Sequence, residues 1–100
     1  DYVHVMDLAQ AHIRAIDMLA SRERLVSNVG TGSGVSVREL LGVVEKELGV
    51  RVNVVEKPIR AGDPPRLVAD DSFLGTWFQH EFKTVNQAVR EIAAVRKAAR

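Results

Sequence analysis

Short runs rich in β-branched residues alternate with longer runs whose apolar positions recur every three or four residues, and this alternation constrains the fold more than any other feature of the chain. Residues 2–5 (Tyr2-Val3-His4-Val5), 25–29 and 50–55 are the short runs and read as strands. After the first, Asp7 offers a capping side chain, and Leu8, Ala11, Ala15, Ile16 and Leu19 follow at helical spacing. After the second, Ser36-Val37-Arg38-Glu39 forms a capping box, in which hydroxyl and carboxylate satisfy free backbone N–H groups reciprocally. Val37, Leu40, Leu41, Val44 and Leu48 then make one stripe, and Gly49 stands where a helix C-terminus takes glycine. All three prolines fall within residues 57–66, which predicts an ordered loop. Asp70 or Asp71 is expected to start a short helix through Leu74, ended by Gly75. Thr84 and Gln87 open a last helix running towards Ala98, with Val85, Ala88, Val89, Ile92 and Val95 inward. The predicted order is β-α-β-α-β-loop-α, an α/β architecture in a single domain over residues 1–100.

Composition narrows the function classes. Apolar residues make up 46% of the 100, enough for a core, yet a chain this short buries only about 60–65% of its extended surface. Some helix stripes are therefore expected to belong to an interface if the natural protein is longer. Fourteen Lys plus Arg against thirteen Asp plus Glu leave a net charge of +1, and no basic run points to nucleic acid. Arg90, Arg96, Lys97 and Arg100 read as the solvated face and last turn of the final helix, where they complement its dipole. The absence of cysteine excludes disulfides and thiolate catalysis within the sequence, and fits a cytoplasmic location. No apolar run approaches the ~18 residues of a membrane span, so no membrane association is expected. The chain begins without Met, inside a strand-like pattern, as an excised fragment does.

Two segments are candidates for ligand chemistry. Gly30-Thr31-Gly32-Ser33-Gly34 lies between a strand-like run and a helix start, a position from which backbone N–H groups can cradle phosphate. Val35 occupies the place where a dinucleotide fingerprint needs its next glycine, and no Walker lysine follows. A tight turn ahead of a capped helix is the simpler reading, with the helix start at Val37 lining a pocket as a third. Pro58-Ile59-Arg60-Ala61-Gly62-Asp63-Pro64-Pro65 is the second segment. The Arg60 guanidinium offers planar, charge-assisted donors to phosphate, and Asp63 can accept from sugar hydroxyls. Alternatively the two pair and fix their own loop. His4, His12 and His80 show no metal-ligand spacing, and His4 reads as structural. No nucleophile motif is present, so no complete catalytic constellation lies in the chain.

Four segments, in order, resemble the UDP-glucose 4-epimerases of the extended short-chain dehydrogenase/reductase family. Asp1-Tyr2-Val3-His4-Val5-Met6-Asp7-Leu8-Ala9-Gln10-Ala11-His12 is similar to their R-D-Y-[IV]-H-V-x-D-L-A-x-A-H segment. Residues 28–39 are similar to N-x-G-x-G-x-G-x-S-V-x-E, residues 58–64 to P-R-R-x-G-D-x, and residues 69–72 to A-D-x-S. Ile59 departs from the first arginine of the R-R pair, Leu67 stands where the family often carries an aromatic, and residues 73–78 are shortened and rearranged.

The resemblance implies a C-terminal substrate-binding lobe. In the family an N-terminal Rossmann domain, absent from these 100 residues, holds NAD and the catalytic Tyr-x-x-x-Lys pair. The resemblance also implies that Arg60 contacts a diphosphate, that Asp63 meets a ribose hydroxyl, and that Tyr2 and Val37 line the nucleotide pocket. The implied substrates are UDP-glucose and UDP-galactose, and the implied complete enzyme is a cytoplasmic homodimer. A related epimerase, dehydratase or decarboxylase, or a non-catalytic nucleotide-sugar-binding module, stands as the alternative.

Overall fold

Side-chain caps mark the starts of the three long helices. The structure, a computed structural model, describes residues 1–98. Its helices are α1 (Val5–Leu19), α2 (Val37–Leu48), α3 (Leu74–Trp77) and α4 (Val85–Ala98). At α2 the capping box forms as predicted: Ser36 Oγ accepts from Glu39 N–H at 3.0 Å and Glu39 Oε1 from Ser36 N–H at 3.4 Å. Gly49 closes that helix in the left-handed region at φ 63°. Before α4, Thr84 and Gln87 exchange the equivalent bonds, at 2.8 Å and 3.2 Å. Arg100, assigned above to the basic end of this helix, lies outside the described residues.

Two helix starts differ from the sequence reading. The N-cap of α1 is His4, whose Nδ1 accepts from Met6 N–H at 2.9 Å. Val5 therefore belongs to the helix, and Asp7 sits inside the first turn instead of capping it. The short helix is α3, which starts at Leu74 and includes Gly75. Asp70 instead closes a turn on itself, accepting from the backbone and hydroxyl of Ser72 at 3.0 and 2.7 Å.

The three expected strands are not formed. Among the described residues there are helices, turns and extended coil, and the order β-α-β-α-β-loop-α is not observed. The β-rich runs have the right residues but no neighbouring edge. Strand preference records how well a side chain fits a pleated, half-buried surface, and a run without a ladder partner leaves its backbone to water. Residues 25–29 spend their apolar side chains differently: Leu25 and Val29 pack against the core, and Ser27 Oγ accepts from Trp77 Nε1 at 3.1 Å. In 50–55 only Val52 is even half-buried.

The core is small. Ala11 of α1 meets Leu74 and Trp77 of α3 and the following Phe78, with Ala15, Met18, Leu25, Val29 and Phe82 against them. Arg14 Nε reaches over from α1 to the Trp77 carbonyl at 3.1 Å. α2 packs on α4, where Glu47 accepts from Asn86 Nδ2 and Arg90 Nη1, both at 3.3 Å. The expected inward stripes are only partly covered. Ile16 is 69% exposed on α1, and on α4 Val85, Ala88 and Val89 are half-buried while Ile92 and Val95 are 63% and 69% exposed. The radius of gyration, 16.7 Å, exceeds the roughly 13 Å of a compact 100-residue domain, and the molecule is a slab of 50 × 38 × 19 Å.

Candidate functional site

A cleft of about 740 Å³ opens between the N-terminal segment, the glycine-rich turn and the segment leading into α4. Its size suits a small organic ligand. Tyr2, Thr31, Ser33, Asp71, His80 and Lys83 are among its polar lining groups, and Val35, Leu74 and Phe78 supply apolar wall.

Asp1 builds one wall. Its Oδ1 accepts from Thr31 N–H at 3.1 Å and Thr31 Oγ1 at 2.7 Å, and its Oδ2 accepts from Gly32 N–H and Ala69 N–H, each at 3.1 Å. One carboxylate thus ties the N-terminal segment to the glycine-rich turn and to Ala69. The glycines permit this close approach. A Cβ on Gly30 would fall 2.4 Å from Ala69 Cβ, and one on Gly32 would fall 2.6 Å from Asp71 Oδ2, at a φ of +75° that disfavours side chains.

Asp7 builds the other wall. Asp7 is buried, only 2% exposed, and its carboxylate accepts from His80 Nε2 and Lys83 N–H, both at 2.8 Å, pinning residues 80–83 to α1. Burial pushes the Asp7 carboxyl up. The hydrogen bonds from His80 and Lys83, with the charges of His80 and His4, outweigh that and hold it below its ordinary value. The His80 ring stacks on Phe78 with centroids 4.8 Å apart and meets Phe82 edge-on at 5.3 Å. Behind this wall Glu91 pairs with Lys83 Nζ at 2.7 Å and with His4 Nε2. The Lys83 bond first, then the His4 bond, lower the Glu91 carboxyl. His4 Nδ1 accepts from Met6 N–H, which leaves Nε2 to face Glu91.

Of the four residues expected to bind substrate, Tyr2 lines this cleft. Val37 is 65% exposed at the first position of α2, beside the cleft wall and not in it. Arg60 and Asp63 stand apart on the proline loop, where Arg60 Nε donates to Asp63 Oδ2 at 3.0 Å and Asp63 N–H closes the turn onto the Arg60 carbonyl at 3.2 Å. Gly62 between them has φ 89°. The two side chains pair with each other within the loop. Asp1, Asp7 and His80 were not among the expected site residues, Asp7 having been read only as a helix cap. Asp1 reaches partners at 31, 32 and 69 and Asp7 reaches partners at 80 and 83, separations for which local spacing carries no signal. Among the described residues no cluster of three or more His, Asp or Glu is placed to hold a metal, and no helix is long and apolar enough to cross a membrane.

The chain is similar in sequence to one stretch of several UDP-sugar 4-epimerases. It is 44% identical over 72 residues to the UDP-glucose 4-epimerase of Rhizobium meliloti (strain 1021), covering 71% of this chain and 22% of that protein. The UDP-glucose 4-epimerase of Streptomyces lividans is 42% identical over 69 residues, 69% of this chain and 21% of that protein. UDP-arabinose 4-epimerase 1 of Arabidopsis thaliana is 39% identical over 72 residues, 72% of this chain and 17% of its own length. The chain therefore spans about a fifth of the length of the curated relatives it matches. No family model matches it, and no solved structure does.

Proposed function

We propose that this chain is the C-terminal, substrate-gripping part of an NAD-dependent UDP-glucose 4-epimerase, which interconverts UDP-glucose and UDP-galactose. The observation that carries the reading is the identity of 42–44% with UDP-glucose 4-epimerases over some 70 residues. In this reading Arg60 takes the diphosphate, Asp63 a ribose hydroxyl, and Tyr2 and Val37 face the nucleotide. The Arg60–Asp63 pair is compatible with that role. Its Arg60 side chain is 86% exposed, and exposed pairs are worth only ~0–1 kcal/mol, whereas a charge-assisted contact to a diphosphate is worth about 1.5–3 kcal/mol. A ligand therefore outcompetes Asp63 for the guanidinium at little cost. Three prolines limit the loop's freedom, so less entropy is lost when it closes on a ligand.

The glycine-rich turn does not fit a dinucleotide. Its Thr31 and Gly32 N–H groups are taken by Asp1, and its glycines are packed against residues 68–71. NAD is accordingly assigned to polypeptide outside these residues. The complete enzyme is proposed to act as a cytoplasmic homodimer. A second reading, a UDP-pentose 4-epimerase, is favoured by the arabinose enzyme and by a bifunctional UDP-glucose and UDP-xylose 4-epimerase of Arabidopsis thaliana that is 40% identical. Incubating the complete polypeptide with UDP-glucose, UDP-xylose and UDP-arabinose in parallel, and resolving the products, tests both. Conversion of UDP-glucose to UDP-galactose is expected; pentose conversion alone selects the second reading, and conversion of none contradicts both.

A further inference from the structure

We infer that Asp1 is a positioning residue for nucleotide binding: its carboxylate, not a ligand phosphate, fills the anion seat of the glycine-rich turn and thereby sets Tyr2 on the cleft wall. The inference rests on the UDP-sugar reading above. Successive backbone N–H groups that converge on one point, the second residue being in the left-handed region, make a concave anion seat. Thr31 and Gly32 are such a pair, with Gly32 at φ +75°, and both donate to the Asp1 carboxylate. The Thr31 hydroxyl and Ala69 N–H complete four donors from two distant segments. A carboxylate in this position is already satisfied, so an incoming diphosphate finds no free donor there and is left to Arg60. Tyr2 follows Asp1 directly in the chain and lines the cleft together with Thr31, Ser33 and Asp71. With residue 1 tied at its carboxylate to both the glycine-rich turn and Ala69, the Tyr2 backbone has little freedom relative to that wall.

The test uses the complete polypeptide that carries this chain, with Asp1→Gly, which removes the carboxylate and leaves room for formate. Two readouts are taken with and without formate: amide hydrogen exchange at Thr31, Gly32 and Ala69, and the Kd for UDP. In Asp1→Gly, protection at the three amides is expected to fall and UDP affinity to weaken about tenfold, the scale of one lost charge-assisted contact. Formate is expected to restore both, whereas it leaves Arg60→Ala unimproved. Unchanged protection in Asp1→Gly overturns the inference, as does lost protection with wild-type UDP affinity. Loss of both with no recovery in formate overturns it too, since that marks general damage to the fold. A wild-type polypeptide that ignores UDP sinks the binding reading instead, and the exchange data still decide whether Asp1 seats the turn.

Discussion

Asp7 shows how one buried charge shapes the cleft. It holds residues 80–83 against α1 through two hydrogen bonds, and its carboxyl is held below its ordinary value. A carboxyl with a lowered folded-state pKa contributes stability that is fully present above the unfolded value, near 3.9, and is lost as pH falls through the lowered folded value. Asp7→Asn is therefore expected to cost about 1–3 kcal/mol at neutral pH, because an amide leaves the His80 and Lys83 donors poorly matched. The gap between wild type and variant should close as the medium is acidified below that window. Urea titrations from neutral to acid pH measure this, and a gap independent of pH would show that the charge is irrelevant. His4 was legible as structural from its β-rich setting, although the role it takes, capping α1 and holding Glu91, belongs to a helix start.

The elements divide by whether their determinants are local. A capping box lies within four consecutive residues and a C-cap glycine is a single position, so α2 and α4 were legible with their starts, and α2 with its end. A strand is defined by a partner elsewhere, and the β-rich runs at 25–29 and 50–55 have none among the described residues. The proline loop was legible as a loop, and its Arg60–Asp63 pair as one of two alternatives, because both residues lie within one turn. The cleft walls were not, because Asp1 and Asp7 act across long separations. Local determinants also make local predictions. Ser36→Ala should cost ~1 kcal/mol by removing the cap of α2. Gly49→Ala should cost about 1–2 kcal/mol, all of it conformational, since φ is 63° and a Cβ there meets nothing within 4 Å. Gly32→Ala should cost more than Gly49→Ala, because the same strain is joined by contact with Asp71. Thermal melts of the three variants check the order, and a Gly32→Ala variant as stable as Gly49→Ala would contradict the packing of the turn.

The molecule as a whole is an open slab with apolar surface to spare. Besides the cleft it carries an apolar groove of about 660 Å³ lined by Val3, Val5, Met6, Val89, Ile92 and Val95. Surfaces of this kind mark interaction sites or an aggregation liability. The 100-residue chain by itself is therefore expected to melt at low temperature and to bind a hydrophobic dye; a sharp, high melting transition without dye binding would contradict this. It is also expected to turn over no UDP-galactose and to bind NAD weakly, since its glycine-rich turn is closed by Asp1. Measurable epimerisation by the purified chain would overturn that expectation.

Whether the proline loop grips a UDP-sugar, as proposed, is decided by calorimetric titration of UDP into the complete polypeptide, wild type beside Arg60→Ala and Arg60→Lys. Arg60→Ala is predicted to weaken UDP by roughly ten- to hundredfold, the worth of one charge-assisted contact. Arg60→Lys should recover part of the loss, because an ammonium supplies charge without the planar fork. NAD binding should be unchanged in both. A UDP affinity equal to wild type in Arg60→Ala, together with a lowered melting temperature shared by Asp63→Ala, would mean that the pair only fixes its own loop and would contradict the account.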